Sequence, residues 1–299
     1  MERNPILKPN IDKVKKFLND TGFPFEMYAS KTLRELGYEV KPNQFFYDIE
    51  GEKVREIDLV ASKTIDGVEI VIVAECKQSN KEAWIFVAPE ENSRKALKYI
   101  KHHPSVDFDS LRKCFSGVHL FSKSLPLATS CISYDFLNNK QAQSTAIIDA
   151  MNKAVKGTLD IISDRQYLYG SEKKSLFFSV VLFSGDTFLA TFDDKLHVKK
   201  VNHILYRETF DSEVYEDKTP IQNNVFSMAG IGVSETEDNW EQRRKKEKII
   251  NIQKNYSLYK PAFVVDVVNE KSIEQYIKLL EEGVKSIMTE DWIPTEDEG

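Results

Sequence analysis

Cysteine is scarce: Cys76, Cys114 and Cys131 are three in 299 residues, and no two stand at C-x-x-C spacing. An odd, scattered set supports neither a disulfide framework nor a structural zinc site, and it suits a reducing cytoplasm. No run of 18 apolar residues occurs, so no membrane-spanning helix is expected. The opening MERNPILKPNIDKVKK is charged and has no apolar stretch of the signal-peptide kind. Positive charge is not in excess either: 41 Lys and Arg face 47 Asp and Glu, for a net charge of −6. General affinity for nucleic acid is thereby excluded, and any such contact needs a local basic face or an oligomeric groove. No G-x-x-x-x-G-K-[ST] loop is present, so the chain encodes no ATP-driven motor. His102, His103, His119, His197 and His203 lack ligand spacing, no Ser-His-Asp set stands out, and no repeat or low-complexity linker divides the chain.

What is present begins with bulk: 41% apolar and 11% aromatic residues are ample for a substantial core. Residues 11–19 (IDKVKKFLN) read as a short amphipathic helix. A second helix is predicted in TGFPFEMYASKTLRELGYEV, with Pro24 at its first position, Gly37 past its end, and Phe25, Tyr28, Ala29, Leu33 and Leu36 as the buried stripe. YEVKPNQFFYDI, VREIDLVAS and VEIVIVAEC then read as strands. A helix is expected after Pro89 (EENSRKALKYIKHH), a short strand in LPLATSCISY, and a helix in QSTAIIDAMNKAVKGTLDII. SLFFSVVLF and TFLATF read as two strands joined by a turn at SGD, followed by a strand in KLHVKKVNHILYR. Residues 211–240 are irregular, WEQRRKKEKIINIQKNY looks helical, PAFVVDVV is a buried strand and KSIEQYIKLLEEGVKSIM a final helix. The order predicts an α/β fold with a mixed β-sheet flanked by helices.

One stretch is out of keeping with its surroundings. VIVAECK, Val71–Lys77, reads as a buried central strand that ends in two charges. Asp66–Gly67 is a favoured two-residue hairpin turn, and pairing Ile65 with Val68 sets Asp58 opposite Glu75 and Glu56 opposite Lys77. Strict alternation puts these four on one face, with Ile57, Leu59, Ile72, Ala74 and Cys76 on the other. Two carboxylates about 5 Å apart at an effective dielectric near 20 repel by on the order of 3 kcal/mol. Lys77 offsets part of that, and a divalent cation offsets more. A solvated hairpin end carrying mixed charges is the bland alternative from spacing alone.

Glu26 in a helix, then EIDLVA with Asp58, then AECK with Glu75 and Lys77, resembles the PD-(D/E)XK superfamily of restriction-endonuclease-like nucleases. The likeness is good over about residues 21–80 and extends beyond by element order alone; Ile57 stands where the motif has Pro. It implies an αβββαβ core at about 21–165 within a single nuclease-like domain spanning 1–289, additional C-terminal strands and helices at about 166–289, and an acidic tail at 290–299. It also implies a Mg²⁺-dependent nuclease, with Mn²⁺ able to substitute, acting as a DNA endonuclease in prokaryotic anti-phage defence. Asp58 and Glu75 then resemble the metal-binding carboxylates, joined by the carbonyl of Cys76. Lys77 resembles the lysine that orients or deprotonates the attacking water, and Glu26 the helical glutamate completing the metal or water shell. Glu26 is equally explained as an acidic residue in a first helical turn.

Gln78 is a candidate phosphate contact, although alternation points it to the other face. Arg243, Arg244, Lys245, Lys246 and Lys248 form a basic run suited to phosphate backbone, as do Lys195, Lys199 and Lys200; both equally suit solvated faces. Trp84 and Phe86 are candidates for base stacking or for the core. Expected partners are nucleic acid, DNA ahead of RNA, a second copy of the chain, and an activating or specificity protein. The contrasting expectation is a non-cleaving nuclease-like scaffold subunit.

Overall fold

The computed structural model describes residues 10–88, 127–142, 145–169, 175–207, 246–250, 252–253 and 264–289. The helix expected after Pro89, Cys114, His102, His103, His119, the polar stretch 211–240, Arg243, Arg244, Lys245 and the tail 290–299 lie outside them.

Helix α1 (Ile11–Asp20) is capped by Asn10, whose side chain accepts from the Asp12 and Lys13 amides. Helix α2 (Phe23–Glu35) carries Pro24 in its first turn, and the chain leaves it through Gly37 at φ 84°. Phe25, Ala29 and Leu33 are buried as the periodicity predicts. Tyr28 is exposed: it sits at the margin of the stripe and stacks on Phe25.

Strands β1 (Glu39–Asp48), β2 (Lys53–Ile65) and β3 (Val68–Ala88) follow as an antiparallel run. Asp66 and Gly67 have φ of 48° and 81°, the left-handed pair that a tight hairpin turn demands. The register is the one the turn predicts from Ile65↔Val68 to Leu59↔Ala74, but the ladder stops there, so the expected pairs of Asp58 with Glu75 and of Glu56 with Lys77 do not form. The described chain continues with β4 (Leu127–Ala128), β5 (Ser130–Asp135), β6 (Lys140–Ala142) and helix α3 (Thr145–Tyr169). After these come β7 (Ser175–Phe192), β8 (Leu196–Lys200), β9 (His203–Arg207), β10 (Val264–Asn269) and helix α4 (Ile273–Thr289).

The ten described strands share one sheet in the order β1-β2-β3-β7-β10-β9-β4, with β5 beside the far half of β3, β6 beside β5, and β8 beside the far half of β7. β7 runs parallel to β3 and β10 parallel to β7, so the sheet is mixed. α3 covers one apolar layer, which includes Ile57, Val71, Val73, Trp84 and Phe183. α2 and α4 cover the other, which includes Leu59, Ile72, Ala74, Leu182 and Tyr276. Burial on both faces explains why the first half of β3 reads as an unbroken apolar run.

Three expectations about the strands are corrected. β3 does not stop at Cys76 but continues to Ala88 through an irregularity between Gln78 and Ala83. The SGD segment is not a turn, because β7 passes straight through Ser184–Asp186. Gly185 is there for close approach: a Cβ on it would lie 2.5 Å from the Phe183 ring and 2.9 Å from the Ser79 carbonyl oxygen. The single strand expected in KLHVKKVNHILYR is two, β8 and β9, broken at Val201–Asn202, where the chain leaves β7 for β10.

Candidate active site

The β2–β3 ladder ends at Leu59↔Ala74. Beyond it β2 keeps β1 as its partner down to Lys53, while β3 keeps β7. Asp58 sits where the two strands part. The Cys76 N–H donates to Asp58 Oδ2 at 2.7 Å, so a carboxylate takes the place of the missing ladder acceptor.

Alternation in β2 slips at this point. Ile57 lies in the α3 layer with Val73, whereas Leu59 lies in the opposite layer with Ile72 and Ala74. The expected sorting of Ile57 with Leu59 is therefore wrong. Opposite the slip, between the pairs Pro42↔Leu59 and Gln44↔Ile57 of β1 and β2, stands Asn43 with φ 52°. Asn tolerates that left-handed conformation.

Glu75 faces α3 and is fully buried. Its Oε1 accepts from Lys77 Nζ at 2.7 Å and from Lys153 Nζ at 2.5 Å. Its Oε2 has no hydrogen-bond partner among the described residues. Lys153 comes from α3 and was not among the residues singled out in the sequence. A sign of it was nonetheless readable, since it lies at helical spacing from the buried Ala150 and from Gly157, which packs against Val73. A lysine on a buried stripe calls for a partner.

Burial pushes the Glu75 carboxyl above its ordinary range, and the charge of Asp58 adds to the shift against the pull of Lys77 and Lys153. Burial likewise raises Asp58, opposed by the Cys76 N–H and by Lys153 and Lys77. Glu26 is raised by burial and then by the charges of Asp58, Glu75 and Glu56, which places it electrostatically in the same group from the α2 side. For Lys77, burial works toward a lower value but Glu75 outweighs it, so its ammonium is held above the usual lysine range.

The remaining candidates divide. The Cys76 thiol is buried and its pKa raised chiefly by burial; what the site uses of this residue is its amide. Gln78 is exposed and pairs with Ser184 where the β3 irregularity starts. Trp84 and Phe86 are core residues, Trp84 stacking on Phe183 with ring centroids 3.9 Å apart. Lys246 is exposed in the helical segment 246–250, but Lys248 turns inward to Asp160 and Asp164 of α3, at 2.9 Å from each. Lys200 pairs with Asp186.

Asp160 is almost fully buried, and its Oδ1 accepts the Tyr47 N–H, which ties α3 to β1. Burial pushes its carboxyl from 3.8 up to about 6, against the pull of Lys248. The folded state thus binds this proton more tightly than the unfolded chain does. The resulting stabilisation is complete below about pH 4 and lost as pH rises through about 6. Asp160→Asn removes the group, so the stability of wild type relative to the variant is expected to fall by about 3 kcal/mol between pH 4 and 7. Urea denaturation across that range reads it; parallel profiles would contradict it.

Among the described residues no three His, Cys, Asp or Glu side chains stand together as a ready cage for a metal ion. Two carboxylates suffice for Mg²⁺, which completes its shell with water and phosphate oxygens. The partnerless Glu75 Oε2 and the mutually opposed charges of Asp58 and Glu75 suit such a hard cation. Among the described residues no helix is long and apolar enough to cross a membrane. Comparisons with protein-family models, with curated proteins and with solved structures each return no match.

Proposed function

We propose that this chain is a Mg²⁺-dependent phosphodiesterase of the restriction-endonuclease-like type, cutting DNA internally. The observation that carries the reading is Asp58 held on the Cys76 N–H, next in the chain to Glu75 and its partner Lys77, where β2 and β3 part. The order α2-β1-β2-β3 and, after the short strands β4, β5 and β6, α3-β7, with β7 parallel to β3, supports an αβββαβ core with an insertion.

Asp58 and Glu75 would hold the ion, with Mn²⁺ as a substitute and the Cys76 carbonyl as a backbone ligand; Glu26, on the α2 side, does not stand with them as a third carboxylate ligand. When bound, the ion lowers the pKa of a coordinated water and neutralises charge on the phosphoryl group. Lys77, held as an ammonium, donates to a phosphate oxygen rather than taking up a proton. Glu26, half-buried, has its carboxyl raised by burial and by neighbouring carboxylates, which makes it the stronger base for a proton from the attacking water.

The β3 edge supplies a path for the backbone. β2 accompanies it to Ala74 and β5 joins it at Glu82, so the stretch between has neither strand alongside. Gln78 is exposed on that stretch and is assigned to phosphate contact; Lys246, with Arg243, Arg244 and Lys245 beside it in sequence, is assigned to backbone further out. Cutting both strands calls for two sites and hence a homodimer, and a cytoplasmic role in defence against foreign DNA is the setting that the resemblance implies.

A non-cleaving binding subunit is the second reading, favoured by one observation: two lysines already neutralise Glu75 Oε1. Incubation of the purified protein with linear, circular and single-stranded DNA and with RNA, with Mg²⁺ or Mn²⁺, separates them. Metal-dependent nicking of circular DNA is expected; no cleavage of any substrate would overturn the nuclease reading.

A further inference from the structure

We infer that Lys153 is a positioning residue of this site, one that holds Glu75 through its ammonium group and competes with a divalent cation for that carboxylate. The inference rests on the nuclease reading and deepens it.

Lys153 and Lys77 reach the same oxygen from different layers. Lys77 follows Glu75 by two residues on β3, and its side chain is 31% exposed; Lys153 descends from α3 and is 17% exposed. Lys77 can swing to solvent or substrate without disturbing the strand. Lys153 is anchored on a 25-residue helix that packs closely over β3, with Gly157 against Val73 and Ile57. It therefore fixes the rotamer of Glu75 toward α3.

A buried ion pair is a poor device for stability, because desolvation consumes most of the attraction. Two ammonium groups on one buried carboxylate oxygen, with the second oxygen left without a partner among the described residues, are costlier still. The arrangement makes sense as a charge balance for the interval when no metal ion is bound. A divalent cation arriving at Glu75 meets a site whose charge Lys153 already balances, and its affinity is reduced accordingly.

Calorimetric titration with Mn²⁺ tests this without reference to cleavage. Lys153→Gln removes the competing charge and is expected to tighten the Mn²⁺ dissociation constant about tenfold, a difference of about 1.4 kcal/mol. Lys153→Met keeps the packing of the stem and is expected to behave alike, while Lys153→Arg keeps the charge and stays near wild type. The rise in melting temperature on adding Mn²⁺ is expected to be larger in both charge-free variants. Unchanged or weaker Mn²⁺ binding in a folded charge-free variant would overturn the role given to Lys153 and leave the nuclease reading standing. If wild type shows no more Mn²⁺ binding than Asp58→Ala, the nuclease reading itself falls, and this inference with it.

Discussion

On the nuclease proposal, Asp58→Asn is expected to reduce metal-dependent cleavage by on the order of a thousandfold, about 4 kcal/mol in the barrier, while the protein stays folded. The asparagine side chain still offers an oxygen to the Cys76 N–H, so the parting of β2 from β3 is preserved. What is lost is a negative charge, and that charge raises the Glu75 and Glu26 carboxyls in the metal-free protein. Removing it relieves repulsion, so the melting temperature without metal is expected to hold or rise. Loss of activity together with retained or increased stability marks a site built for chemistry at the expense of stability. Glu75→Gln should lose activity to the same degree. Lys77→Ala should lose about a hundredfold to a thousandfold, the usual cost of one donor to a charged transition state. Single-turnover cleavage of an end-labelled duplex, beside scanning calorimetry, reads both quantities. Variants that cleave within about threefold of wild type would remove these residues from the mechanism.

Trp84→Ala is expected to cost about 4 kcal/mol of folding stability, the range for an aromatic cut from a packed core. Trp84 is 2% exposed, its ring lies 11° from the plane of Phe183, and Phe86 meets it edge-on with centroids 6.5 Å apart. It stands just past the irregularity in β3, where the strand joins β5 on one side and β7 on the other. The cavity would therefore open at the joint between the two halves of the sheet. Urea denaturation should show a lower midpoint with little change in slope. On the nuclease proposal, the DNA affinity of the protein that remains folded is expected to match wild type, because the ring is buried. Weakened DNA binding at unchanged stability would return Trp84 to the surface role that its sequence position also allows.

The β2–β3 register was legible because a single dipeptide, Asp66–Gly67, fixes both the turn and the pairing. Helix α2 was legible for a similar reason, bracketed by Pro24 and Gly37. The slip at Asp58 was not: strand reasoning assumes regular alternation, and the left-handed Asn43 opposite it sits on a neighbouring strand. The second half of β3 was missed because KQSNKEAW is polar and reads as loop, although its backbone pairs with β7 up to Gln78 and with β5 and β7 from Glu82 and Ala83. Gly185 misled in the opposite direction. Glycine usually signals a turn, but here it makes room for Phe183 and the Ser79 carbonyl, and its backbone is not left-handed. Asp58, Glu75 and Lys77 could be found from spacing, whereas Lys153 is 78 positions from its partner and its pairing appears only in three dimensions.

Anomalous diffraction at the manganese edge, from crystals grown with Mn²⁺, puts the central claim to its most direct test. The account predicts a peak in contact with the carboxylates of both Asp58 and Glu75, with the Lys153 ammonium withdrawn from Glu75. No peak at that position, with Glu75 still held by both lysines at saturating Mn²⁺, would contradict it.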